Sequence, residues 1–273
     1  MSHQEIFFHV GLGKVASTYL QHRFFPKLRG LRYIPTNRYR RSKQILEKEG
    51  AGVFLVSREF DRQFEREVTW FTSTYPRARI IVLFRSQSSG IASQYRRYVK
   101  NGFHWDFEKF LDLKHDQGKW KKNDLLYYPK LEIIERCSSQ KPLVLFYDDL
   151  KADPWVFLQR IADYTGTTFD PNHISLESVH RSYTEKQLKV LRGFCRRYKR
   201  TPPQAYHNKI IHWLRYRPWW AFFHLIMYMA ILIPDRWVPA DPLISPEQLD
   251  EIDQLYQEDW SAVQDYAAHL NRS

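Results

Sequence analysis

EIFFHVGLGKVASTYL, residues 5–20, reads as a short apolar strand that runs straight into a glycine-containing loop and then into the start of a helix. Gly11 and Gly13 are expected to let the backbone turn sharply, so that Lys14, Ser17 and Thr18 point donors at one spot. Backbone N–H groups at a helix start, together with the helix dipole, favour an anion there. Gly11, Gly13, Lys14, Val15, Ala16, Ser17 and Thr18 are therefore the candidate phosphate cradle. The loop is not a Walker A motif, which places four residues between its glycines and Lys directly before Ser/Thr; here Val15 and Ala16 intervene. An ordinary strand-to-helix turn with a surface lysine is the plain alternative.

Outward from that stretch, short runs of β-branched and aromatic residues recur at 53–57 (VFLVS), 79–84 (RIIVLF) and 143–147 (LVLFY). Helical patterns separate them, and strands alternating with helices predict an α/β fold: a P-loop-type parallel sheet flanked by helices on both faces. The near-continuous apolarity of the last two runs suits strands covered on both sides. Helices are expected over 61–75, with Phe64, Val68, Phe71 and Tyr75 at helical spacing, and over 87–101, ending at Gly102. Asp153-Pro154 opens another, closed by Gly166, and Thr184 with Gln187 forms a capping box for one reaching about Tyr198. A final helix starts at Ser245-Pro246 with Leu249, Ile252, Tyr256, Trp260, Val263, Ala267 and Leu270 on one face. Pro129 leaves 123–137 open between one kinked helix and two pieces. Without repeats or a long linker, the chain reads as a single domain, residues 1–273, with an α/β core over about 5–165 and a mainly helical part over about 170–273.

The strand RIIVLF ends in Arg85, and Ser93 follows eight residues later on the next predicted helix. Arg at a strand end can fork onto a phosphate, and a hydroxyl two turns into the following helix can close on the same group. Alone, such an arginine is as often a surface ion pair. With the first loop, the pattern resembles the PAPS-dependent sulfotransferase superfamily (PAPS, 3′-phosphoadenosine 5′-phosphosulfate), particularly bacterial members related to carbohydrate and heparan-type enzymes. The first loop is similar to that family's 5′-phosphosulfate loop, and FRSQSSGIASQY (84–95) to its 3′-phosphate motif. VFLVSREF (53–60) resembles the family strand ending in Ser-x-Glu, LVLFYDDLKADP (143–154) its late strand, HRSYTEKQLKVLR (180–192) the stretch after it, and PEQLDEIDQLYQEDW (246–260) its closing helix.

The resemblance implies that Lys14, Ser17 and Thr18 hold the 5′-phosphosulfate, that Arg85 and Ser93 hold the 3′-phosphate, and that Arg181 and Ser182 contact the nucleotide. It also implies that Glu59 takes the acceptor proton and that Lys14 neutralises charge on the leaving phosphate; a carboxylate paired with Arg58 or Arg62 is the plain reading of Glu59, and Asp61 and His9 lie near strand ends too. Ala16 stands where the family usually has Gly, and His180 where Asn is common. The product is adenosine 3′,5′-bisphosphate, and the acceptor a hydroxyl, or an amine, with a glycan or lipid-linked sugar in first place. No histidine spacing suggests a metal pair, so no metal is predicted.

The 42 Lys+Arg against 30 Asp+Glu give a formal net charge of +12, which favours anionic ligands, nucleic acid or an anionic membrane surface without choosing among them. Cys137 and Cys195 alone make no disulfide framework, and a start at Met1 with no signal segment suits the cytoplasm. Two rival functions remain: a P-loop kinase using ATP, which leaves Arg85 and Ser93 without a reason, and a basic nucleic-acid-binding protein, which leaves the anion loop idle. RYRPWWAFFHLIMYMAILIP (215–234) is short for a bilayer span, which needs about 20 apolar residues. A buried helix is one reading of it and peripheral contact with the inner face of a membrane the other.

Overall fold

The computed structural model describes residues 4–177, 183–199 and 209–272. They fall into two compact units, one built from Met1–Gly90, Asp124–His180 and Leu255–Ser273, the other from Ile91–Asn123 and Arg181–Gln254.

The first unit holds a five-stranded, wholly parallel sheet: β1 (Gln4–Gly11), β2 (Arg32–Ile34), β3 (Gly52–Glu59), β4 (Arg79–Phe84) and β5 (Leu143–Phe146), in the order β2-β3-β1-β4-β5. Four of these are the strands expected from the sequence, and the fifth, β2, is a three-residue edge strand with no apolar run to announce it. The central strand is covered on both faces, and its consecutive phenylalanines show by what. Side chains alternate along a strand. Accordingly Phe8 stacks at 3.9 Å on Phe71 of α3 (Phe64–Thr74), whereas Phe7 meets Tyr164 of α8 (Pro154–Thr165) edge-on at 5.8 Å. Both phenylalanines are fully buried, each worth about 1.5–3 kcal/mol of burial.

The other helices of this unit are a short α1 (Ser17–Tyr19), α2 (Ser42–Glu49), α6 (Tyr128–Cys137), α7 (Tyr147–Ala152) and α12 (Gln257–Arg272). α3 buries Phe64, Val68 and Phe71 at the spacing read from the sequence. α8 starts where Asp153 accepts the N–H groups of Trp155 and Val156 at 3.0 Å, and ends at Gly166, whose φ of 62° is the left-handed conformation glycine adopts cheaply. Residues 122–137 are two pieces: a 3₁₀ turn over Lys122–Leu125, then α6 with Pro129 in its first turn, where a missing N–H costs nothing.

α4 (Gln87–Lys100) starts in the first unit. The second contains α5 (Phe107–Phe110), α9 (Glu185–Arg197), α10 (Lys209–Met229) and nearly all of α11 (Pro246–Leu255). α9 opens with the expected capping box of Thr184 and Gln187 and packs on α10, where Gln187 Nε2 also donates to the Met227 carbonyl at 3.0 Å. The single closing helix expected from 245 onward is instead α11 and α12, interrupted at Tyr256. Glu258 and Asp259 make an acidic first turn that favours a new helix start, and the Asp259 carboxylate is committed to donors far away in sequence, at Gln87 and Tyr127.

Candidate active site

Parallel sheets bind ligands outside the carboxyl ends of their strands, where neighbouring strands lead off in opposite directions. Here the chain passes from β1 to β2 and β3 on one side, then returns to β4 on the other, so that point lies at the end of β1. The register sets Gly11 beside Glu59 of β3 and beside Leu83 of β4, two residues before Arg85. Three distant stretches of sequence thus end at one edge of the sheet.

The loop after β1 turns differently from expectation. Its left-handed residues are Lys14 (φ 75°) and Ala16 (φ 67°), and Gly11 is needed for closeness instead: a Cβ there would lie 2.0 Å from Ser17 Oγ. Left-handed backbone at residues with a Cβ costs about 1–2 kcal/mol each, and such strain gathers where a loop is shaped for a ligand. Ala16 therefore explains the glycine usual at its position in the resembling family. Two contacts hold the loop. The Gly13 N–H donates to Asp61 Oδ1 at 2.8 Å, and Arg85 Nη1 donates to the Lys14 carbonyl at 3.1 Å.

Arg85 is itself fixed, with Nε donating to Ser89 Oγ at 2.8 Å and its guanidinium 4.2 Å over the Tyr147 ring. The Ser17 hydroxyl is buried and has no hydrogen-bond partner among the described residues. A buried hydroxyl left unsatisfied costs about 1–3 kcal/mol, which an anion accepting from it would relieve. Beneath the loop His9 is fully buried, bonded through Nδ1 to Ser57 Oγ at 2.8 Å, and burial depresses its pKa to about 3. It stays neutral, and its depth makes it a poor choice as a base for an entering acceptor.

The helix after the loop is not a regular α-helix either. The single turn of α1 widens to π geometry over Leu20–Phe24 and tightens to 3₁₀ over Phe25–Lys27. Ser17 heads this segment and Thr18 follows, half-buried. Glu59 is half-buried at the end of β3, two residues before Asp61, and Arg62 pairs with Asp124 at 3.1 Å. Ser93, also half-buried, stands on α4 beyond Gly90 and belongs to the second unit. Arg181 and Ser182 lie outside the described residues. No three of His, Cys, Asp and Glu gather as a metal-holding group among the described residues.

Several supporting residues gave little signal in the sequence. Ser89, in the first turn of α4, orients Arg85, and Tyr147 supplies the ring against it. Asp259 accepts from the backbone N–H groups of Tyr127 and Tyr128, both at 2.9 Å, and from Gln87 Nε2 at 2.8 Å. It thereby ties the starts of α4, α6 and α12 together. Lys130, almost buried, has its pKa lowered to about 8 by desolvation against the opposing pull of Asp259, Asp124 and Asp61.

No protein-family model matches the chain, and no curated protein does. Among solved structures, the chain is similar to the crystal structure of a sulfotransferase from Alicyclobacillus acidocaldarius, with a TM-score of 0.53 and 13% identity, over 74% of this chain and 98% of that one. What the two share at that identity is architecture, and the chain thus has the α/β fold of a sulfotransferase.

Proposed function

We propose that this protein is a sulfotransferase that moves a sulfuryl group from PAPS to a hydroxyl of an acceptor, a glycan or a lipid-linked sugar. The observation that carries the reading is the hydrogen bond from Arg85 to the Lys14 carbonyl, which joins the two anion-binding stretches at the switch point of the sheet. Neither stretch is specific alone. Together, a strained loop, an unsatisfied buried hydroxyl at Ser17 and a fixed arginine suit a ligand with anionic groups at two places.

Lys14, Ser17, Thr18 and the loop N–H groups around Val15 and Ala16 would hold the 5′-phosphosulfate; Arg85, with Ser93, would hold the 3′-phosphate. Bound there, PAPS supplies the sulfuryl group. Glu59 takes the proton from the acceptor hydroxyl as its oxygen bonds to sulfur, and the Lys14 ammonium neutralises charge on the phosphate oxygen that leaves. Asp61 contributes by fixing Gly13, and so the loop, through its carboxylate.

Incubating the protein with sulfur-labelled PAPS and a panel of glycans and glycolipids tests this. Label should appear on an acceptor as adenosine 3′,5′-bisphosphate accumulates. Phosphate transfer from labelled ATP, with no sulfuryl transfer to any of the panel, would replace the reading with a kinase.

A further inference from the structure

α10 is apolar on more than the side it buries. Phe223, Met227 and, just past its end, Ala230 are buried among the residues of the second unit. The opposite stripe, at spacings of three and four residues, is Leu214, Pro218, Ala221, Leu225, Tyr228 and Leu232, and every one is exposed. Leu225 is 57% and Leu232 74% accessible. Helices with polar outer faces are the rule for surface positions, so an apolar outer face calls for a cover.

The charge around it says which cover. From Lys186 through Pro234 the chain carries ten Lys and Arg and no Asp or Glu, three of them, Lys189, Arg192 and Arg196, paired with Glu185 and Asp106 outside that stretch. The first acidic residue beyond, Asp235, is paired with Lys186 at 2.8 Å. Arg217 lies 5.2 Å from the Trp213 ring and 6.0 Å from that of Trp220, and Arg236 lies 5.9 Å from Trp237, so each cation sits beside an aromatic ring that suits a headgroup boundary. Among the described residues no helix is long and apolar enough to cross a membrane. An apolar stripe edged by aromatic and basic side chains, without acidic residues and too polar to span, has the makeup of a helix lying in a lipid interface.

We propose that the outer face of α10 seats this protein on an anionic phospholipid surface. The lipid chemistry it reads is a layer of negatively charged headgroups over acyl chains: arginines for the first, the leucine stripe for the second. This proposal stands apart from the sulfuryl-transfer reading and needs nothing from it.

Flotation of the full chain with phosphatidylcholine vesicles, with and without phosphatidylserine, tests it. The protein should float with the serine-containing vesicles, float less as salt rises, and show a blue shift of tryptophan emission. Leu225→Glu with Met229→Glu should abolish flotation, and Arg217→Glu with Arg236→Glu should weaken it by at least about tenfold, given the worth of each basic residue near such a surface. All four positions are exposed, and an unchanged thermal melt shows that each variant is folded. Failure of the wild type to float with either vesicle would overturn the proposal. So would a dimer in light scattering that the Leu225→Glu, Met229→Glu variant breaks, since the face would then be covered by a second copy.

Discussion

Glu59 and Lys14 reach the same edge of the sheet from different strands, and their proposed roles separate in experiment. A glutamine keeps the size and hydrogen-bonding reach of Glu59 but cannot take a proton. Glu59→Gln should therefore leave donor affinity near wild type while turnover falls by about 10²–10⁴, the usual worth of a positioned base. Lys14→Ala should lower both, because Lys14 lies in the loop proposed to hold the donor. Steady-state kinetics with the true acceptor checks the pair. If Glu59→Gln keeps most of its turnover, proton removal belongs to another group. Asp61 is the next candidate by position, although its carboxylate already holds the Gly13 N–H.

At the scale of elements, the loop between β1 and α1 is where sequence and structure differ most instructively. The glycines suggested where the backbone turns, yet the left-handed residues are Lys14 and Ala16. A sequence reports which residues tolerate that conformation, not which are forced into it. Ala16→Gly should consequently raise the unfolding free energy by about 0.5–1 kcal/mol, the relief of left-handed strain less the added freedom of glycine in the unfolded chain. Denaturant titration measures this, and a loss of stability would place the strain elsewhere. The long strands and the capped helices were legible because their signals are local: apolar and aromatic runs in β1 and β4, Asp153 before α8, the Thr184 box before α9. β2 was not, since three residues at a sheet edge carry no pattern. Nor was the break at Tyr256. The apolar stripe continues through it, and the interruption follows from where the Asp259 carboxylate finds its donors, more than a hundred residues away in sequence. Ser89 and Tyr147 were hidden for a similar reason, because a role in orienting Arg85 is a matter of distance in space.

Across the whole molecule, a formal charge of +12 is put to two distinct uses in this account. In the first unit Arg85 is fixed beside a strained loop, the arrangement proposed for one specific anion. In the second, basic side chains border an apolar helix face, the arrangement for an extended anionic surface. The claim most open to direct measurement is the first, that the site takes a nucleotide with phosphates at both the 5′ and 3′ positions. Titration calorimetry of adenosine 3′,5′-bisphosphate, AMP and ATP into the wild type and Arg85→Ala settles it. The bisphosphate should bind the wild type much more tightly than AMP or ATP. In Arg85→Ala that preference should shrink by about 1.5–3 kcal/mol, the range for a hydrogen bond to a charged group, over and above any loss that all three ligands share once the Lys14 carbonyl is no longer braced. If Arg85 merely braces the Lys14 carbonyl, the variant will weaken all three ligands together. Equal binding of AMP and the bisphosphate by the wild type would contradict the account.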